Sequence, residues 1–409
     1  MASIYNRVKI ALISEVLPPA PTGQAVIIGR LLQSMELQNY CLISRYKWHD
    51  EQAGPTYSGN LPGRHYQLTS HFLLDRGHRL RTNKVGRAVD IPLSVLFRSR
   101  QIYAIVAREN CNAIVACTGD LLDLPAGYLA SRRAGVPFYA YIFDHYTYRE
   151  WSDPVKQFWA RRFEPVLMRG AARVIAPNEV LGDELRRKYG IDPLVIGNSL
   201  DLTPYEALGG EAPANGDGKI KIVYTGDIYE AHYDAFRNLL AAIERLGRAE
   251  VELHLYTPRS PDELAAQNIR GPIVWHQHHA PSEMPRIQRQ ATLLFLPLAF
   301  SSPYPDLVRT SATTKLGEYL AARRPVLVHA PPDSFVAWYF RKHQCGVVAD
   351  QCDPALLCQS IETVLGNSEL QQQLGERAWE RARADFNITT AQTEFLKLLR
   401  RGVNNFKVK

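Results

Sequence analysis

Short apolar runs recur along this chain and alternate with stretches of helical spacing. In the first half KIALISE (9–15) reads as a buried strand, and LPPAPTGQAV then leads into a helix through VIIGRLLQSM. YCLISR, AIVACTG, PFYAYIFD, RVIAPN and PLVIGNS follow as further strands. Residues 46–80 are polar and irregular and predict no element. EAPANGDGK (211–219), rich in Gly, Pro and Asn, reads as a linker. Beyond it the rhythm restarts. KIKIVYTG (219–226), VELHLYTP (251–258), PIVWHQ (272–277), TLLFLPL (292–298), PVLVHAP (325–331) and GVVAD (346–350) read as strands with helices between them. From 353 onward the pattern is almost wholly helical, with SELQQQLGERAWERARADF as its longest regular piece. Such alternation implies parallel sheets covered by helices on both faces. Two doubly wound domains would leave a cleft between their strand C-terminal edges, and that cleft is the expected ligand site.

Composition narrows the class. At 409 residues two domains are the natural division, and 46% apolar with 22% charged residues describes a soluble globular protein. The six cysteines form no C-x-x-C pair and no signal peptide is evident, which points to a reducing cytoplasm. Apolar stretches such as ATLLFLPLAF are too short to span a bilayer. G-x-G-x-x-G and Walker A sequences are both absent, which argues against a dehydrogenase and a P-loop NTPase. No D-x-D occurs, so the simplest carboxylate site for a nucleotide-bound metal is missing.

Charge is unevenly spread. Residues 1–200 hold 25 Lys/Arg against 17 Asp/Glu, whereas the whole chain nets +7, so all of the basic excess lies in the first half. Within it, residues 76–100 are both basic and patchily apolar, with Arg79, Arg81, Lys84 and Arg87 among their cations. Two readings fit: a solvated basic face, or a surface that meets anionic lipid headgroups. No nucleic-acid motif accompanies the charge, and nucleic acid is not an expected partner.

The stretch TTKLGEYLAARRP (313–325) carries the sharpest chemical signal. Leu316, Tyr319, Leu320 and Ala322 make an apolar stripe at helical spacing, which is core packing. Lys315 and Glu318 could be a surface pair three residues apart. A capping box fails by one residue if Thr314 is the N-cap. A lysine in the first turn opposes the helix dipole, and a bound anion would resolve that conflict by drawing both ammonium and free N–H groups. HQHH (276–279) could set His276 and His278 on one strand face, but the sequence places no third ligand beside them, and no metal is expected.

The layout resembles the GT-B glycosyltransferases, and T-K-L-G-E-Y-L-A-A-R-R-P-V-L-V is similar to the donor-site helix of glycosyltransferase family 4. PPAPTGQ resembles the family's glycine loop, RVIAPNEVLGDELRRKYG with VIGNSLD its last N-domain helix and turn, and VYTGDIY the strand that opens its second domain. The resemblance implies an α/β protein of GT-B fold, with two doubly wound Rossmann-like domains facing a central cleft. Their expected limits are 1–210 for an acceptor-binding domain, 211–218 for the linker and 219–385 for a nucleotide-sugar domain. Residues 386–409 are expected as a C-terminal helix that packs back on the first domain.

The implied activity is retaining transfer of a hexose from a nucleotide diphosphate sugar, without metal or other cofactor. The implied acceptor is a glycan, glycolipid or other small molecule, such as a lipid-linked or surface glycan precursor. The place would be the cytoplasm or the inner face of a membrane, with the anionic surface met through residues 76–100. On this resemblance Lys315, Thr313 and Thr314 hold the departing diphosphate, where charge grows as the glycosidic bond breaks. Glu318 grips the ribose hydroxyls. Gly226 belongs to the donor site, and His276 and Gln277 face the base. Thr22, Gly23 and Asp144 line the acceptor side, and His145 stands near the reacting carbon.

Three departures matter. Thr310 replaces the first glutamate of the family's E-x7-E, with Asp306 a nearby acid that could substitute. Asp227 and His232 stand where the family often has Arg and Lys. Arg309 is the expected replacement for that charge; otherwise it is a loop arginine paired with Asp306. A nucleotide-sugar epimerase of the same fold, or a catalytically silent partner subunit, is the alternative reading.

Overall fold

Apolar runs without polar interruption become the central strands of two all-parallel sheets, each in its own unit. The computed structural model describes residues 8–20, 22–46, 61–69, 84–147, 153–209, 218–277 and 279–406. Its first unit is Met1–Gly197 with Thr389–Lys409, and its second is Asn198–Ile388. Residues 198–209 therefore group with the second unit. Arg79, Arg81, His278 and residues 211–217 of the expected linker lie outside the described residues.

In the first unit the chain runs β1 Ile10–Ile13, α1 Gly23–Leu32, β2 Tyr40–Ser44, β3 Arg64–Gln67 and α2 Lys84–Glu109. It continues through β4 Ala113–Cys117, α3 Asp123–Ala134, β5 Phe138–Tyr141 and α4 Pro154–Gly170. The last elements before the second unit are β6 Arg173–Ala176, α5 Glu179–Tyr189 and β7 Leu194–Val195. The sheet order is β3-β2-β1-β4-β5-β6-β7. Every residue of β1, β4 and β5 is buried, as a strand covered by helices on both faces requires.

The second unit holds α6 Thr203–Glu206, β8 Ile220–Thr225, α7 Tyr233–Leu246, β9 Val251–Tyr256, α8 Pro261–Ala266 and β10 Ile273–His276. Then come α9 Met284–Arg289, β11 Leu293–Pro297, α10 Pro305–Thr310, α11 Thr314–Ala321 and β12 Val326–His329. It closes with α12 Phe335–His343, β13 Val347–Ala349, α13 Pro354–Leu365 and α14 Ser368–Asp385. Its sheet order is β10-β9-β8-β11-β12-β13. The last helix, α15 Ile388–Phe406, belongs from Thr389 onward to the first unit. There Gln392 donates to the Arg30 carbonyl at 2.7 Å, and Phe395, Leu399 and Val403 are buried.

Both sheets are doubly wound. The chain builds outward from β1 and then crosses to β4, and in the second unit it leaves β8 and crosses to β11. Ligands of such sheets bind beyond the strand C-termini at the point where the winding reverses. In the second unit that point lies between the ends of β8 and β11.

Candidate functional site

β8 ends at Thr225, and the chain then turns at Gly226 with φ +122°, a conformation that favours glycine. Glycine also leaves room for a neighbouring side chain there. A Cβ on Gly226 would come within 2.6 Å of Lys315 Cε and 2.8 Å of its Nζ. The first-turn lysine of α11 thus lies directly against the backbone that follows β8. Its ammonium is 5.1 Å from the centre of the Tyr224 ring. Burial pulls the Lys315 pKa below its ordinary value, opposed by the charges of Glu318 and Asp227.

Local contacts fix α11 in this position. Thr313 is its N-cap and accepts the Lys315 backbone N–H at 3.4 Å. The buried Tyr319 hydroxyl accepts the Thr225 N–H at 2.9 Å. Gln288 donates to the Thr225 hydroxyl at 3.2 Å and accepts the Tyr205 hydroxyl at 2.8 Å. The Asn198 side chain donates to the Ala312 carbonyl just ahead of the helix. Gly317 lets α11 sit close, because a Cβ there would meet Leu200 at 3.0 Å and Phe386 at 3.1 Å. Thr314 opens the helix, and Glu318 follows one turn later, half-buried. The result is a partly desolvated cation beside the N-terminus of a helix at the winding reversal, an arrangement suited to an anion.

Asp227, next after Gly226, does not stand alone. Arg259 grips it with two hydrogen bonds of 2.6 and 3.0 Å, and this pairing raises the Arg259 pKa above its ordinary value. Arg259 follows β9 and precedes the capping box of α8, formed by Ser260 and Glu263. Sequence reasoning missed this arginine. Its signal was available: a basic residue just past a strand C-terminus, at the ligand edge of the sheet. His232 lies buried between two rings, its centroid 6.1 Å from Tyr224 and 4.4 Å from Tyr229. Burial, and then the charge of Lys315, drive its pKa well below the ordinary value, so the ring is neutral. Among the described residues its buried Nδ1 has no hydrogen-bond partner.

The remaining residues of the second unit fall into separate groups. Thr310 is buried, and its hydroxyl donates to the Asp306 carbonyl at 2.9 Å. Arg309 pairs with the Asp306 carboxylate at 3.3 Å. His276 stacks on Tyr256 with centroids 4.1 Å apart and lies 3.0 Å from His254. Burial, then His254 and His279, lower the His276 pKa. Gln277 beside it is exposed. Among the described residues no three His, Cys, Asp or Glu side chains come together as metal ligands would.

In the first unit Thr22 is the N-cap of α1, accepting the Ala25 N–H at 3.2 Å, and Gly23 is its exposed first residue. Asp144 is exposed after β5. His145 is 1% exposed, with Nε2 3.4 Å from a Glu184 carboxylate oxygen, so its ring is held inside the unit.

Solved structures align over nearly the whole chain. A glycosyltransferase from Rickettsia africae matches with TM-score 0.70 at 13% identity, covering 98% of this chain and 100% of that one. Sucrose-phosphate synthase from Thermosynechococcus elongatus matches with TM-score 0.67 at 16% identity, covering 97% and 99%. This chain has the GT-B fold. Anabaena HepE, solved in complex with UDP and glucose, has a TM-score of 0.64 at 13% identity and covers 96% and 99%. Residues 55–203 match the family model described as Glycosyltransferase Family 4. No curated protein sequence matches the chain. Within the GT-B frame, the switch between β8 and β11 brings Gly226, Lys315 and the Asp227–Arg259 pair into one neighbourhood.

Proposed function

We propose that this protein transfers a sugar from a nucleotide diphosphate sugar to an acceptor. The observation that carries the reading is the Lys315 ammonium seated against Gly226 at the winding reversal of the second unit. As the donor's glycosidic bond breaks, charge accumulates on the diphosphate. A poorly hydrated cation and helix N–H groups stabilise that charge more than they stabilise the intact donor. In this reading Thr313 and Thr314 contribute at the same terminus, and Glu318, one turn on, accepts ribose hydroxyls. Arg259, neutralising Asp227, removes the repulsion that a bare carboxylate would exert on phosphate.

The finer parts of the proposal are a hexose donor, retention at the anomeric carbon, no metal, and an acceptor that is a lipid-linked or surface glycan precursor. The complex of HepE with UDP and glucose supports a nucleotide sugar as ligand and makes UDP-glucose the first donor to try. His145 and Arg309 enter as the proposed proton-sharing and phosphate-facing groups. Each would first have to leave its present partner, Glu184 or Asp306. The decisive experiment screens nucleotide sugars by thermal shift and then measures release of nucleoside diphosphate with and without glycan acceptors. Acceptor-dependent release supports transfer, whereas conversion of donor without acceptor selects the epimerase. A second reading, a catalytically silent subunit, is favoured by Thr310, whose hydroxyl is buried and bonded to its own helix. Donor binding without turnover under any acceptor selects it.

A further inference from the structure

Four acidic residues lie on α2, α3 and α4, namely Asp90, Glu109, Asp123 and Glu164, and all are buried, none more than 4% exposed. Each has an internal partner. Ser94 donates to Asp90, Lys9 and Arg64 pair with Glu109, Arg98 holds Asp123, and Lys188 and Tyr189 reach Glu164. Among the described side chains, the charges these three helices expose are all basic, including Arg100, Arg132, Arg133, Arg161, Arg162 and Arg169. The half-buried Asp153 at the start of α4 is bridged by Arg87 at 2.8 Å and caps the Val155 N–H. Mixed signs return at the next helix, α5, where exposed Asp183 pairs with Arg186.

Large apolar side chains stand among these cations. Val89, Leu93 and Leu96 fall on one stripe of α2, and Phe158 and Val166 on one stripe of α4, at 61% and 56% exposure. The two helices are joined where the Trp159 indole donates to the Ala88 carbonyl at 3.0 Å. Pro154, Gln157, Phe158, Arg161 and Arg162 line an open depression on α4. A face that only met water would mix charge signs and cover its phenylalanine. A partner that read charge alone would have no use for the apolar stripe. A phospholipid surface uses both, with cations on headgroups and apolar side chains at the acyl boundary.

We propose that the α2–α3–α4 face of the first unit docks on an anionic phospholipid surface, with Phe158 and Val166 entering the interface and Arg161 and Arg162 on the headgroups. This deepens the membrane-acceptor part of the reading above and rests on it for the class of partner alone. It also moves the expected contact from the stretch 76–100, whose Arg87 is bound to Asp153, toward α4.

The test is sedimentation of the full-length protein with phosphatidylcholine vesicles, with and without phosphatidylglycerol. The parent should sediment only with phosphatidylglycerol present, and less as salt rises. R161Q/R162Q should weaken partitioning roughly 30-fold, from about 1 kcal/mol per cation near such a surface. F158S should weaken it about tenfold, as removal of an inserted ring predicts. No sedimentation at low salt, or unchanged partitioning in either variant, overturns the proposal. So does full displacement by single-stranded polynucleotide with F158S behaving as the parent, which would mark a surface for nucleic acid. UDP-glucose binding is measured on the same samples. A parent that binds vesicles but no nucleotide sugar contradicts the transferase reading and leaves the docking face standing; the reverse result does the opposite.

Discussion

Gly226→Ala tests the proposed site without replacing a charged residue. The new Cβ would start 2.6 Å from Lys315 Cε, where carbon atoms prefer about 3.5–4.0 Å, so the ammonium must move by roughly 1 Å. What yields is the end of a flexible side chain, and the fold should survive. The cost in stability comes instead from the φ of +122°, roughly 1–3 kcal/mol for a residue with a side chain. A displacement of about 1 Å in a catalytic group is worth on the order of 10²-fold in rate, or about 2.7 kcal/mol. Lys315→Ala should lower kcat by roughly 10²–10³, the loss expected for one oxyanion-type donor. The assay is nucleoside diphosphate release with the best donor of the panel, alongside thermal unfolding. If the alanine acts by displacing the lysine, the double variant should be no slower than Lys315→Ala while retaining the stability loss of Gly226→Ala. A Gly226→Ala protein with the parent's kcat would refute the proposed role of this contact.

Glu318→Gln should weaken nucleotide binding with little further change in kcat, because a carboxylate on ribose hydroxyls acts in ground and transition states alike; equal affinity by calorimetry removes that role. Activity should persist in excess chelator, and loss restored by Mg²⁺ or Mn²⁺ would show that the diphosphate is handled by an ion. Hydrogen bonds from Lys9, then Tyr66 and Arg64, bring the Glu109 carboxyl down to about 2. A depressed carboxyl pKa contributes stability that is present above the ordinary value of 4.5 and lost as pH falls toward about 2. Acid unfolding should therefore be less steep across that window in Glu109→Gln, and parallel curves for parent and variant would contradict the assignment.

What the sequence discloses depends on whether a feature is local. Strands such as β4 and β11 are legible because every position is apolar and buried. β3 was not, since its residues RHYQ are almost all exposed at the sheet edge and show no apolar alternation. β7 is legible in PLVIGNS, although only Leu194 and Val195 of that stretch pair in the sheet. The lysine of α11 stands out by its conflict with the helix dipole, and the glutamate stands out only through the motif they share. Their surroundings do not, because Gly226, Asp227 and Arg259 meet only through the parallel pairing of β8 with β9 and the crossing to β11. The burial of all four acids on α2, α3 and α4 is likewise invisible in a linear charge count. The sequence shows a modest basic excess, and only the fold separates the hidden charges from the displayed ones.

The most direct test of the central claim is calorimetric titration of UDP, GDP and ADP into the parent and into Lys315→Ala. The account predicts that the parent binds at least one of these with a measurable Kd and that the variant binds it at least tenfold more weakly, the effect of roughly 1.4 kcal/mol from one cation–phosphate contact. Absence of binding by any of the three, or identical affinities in parent and variant, would contradict it.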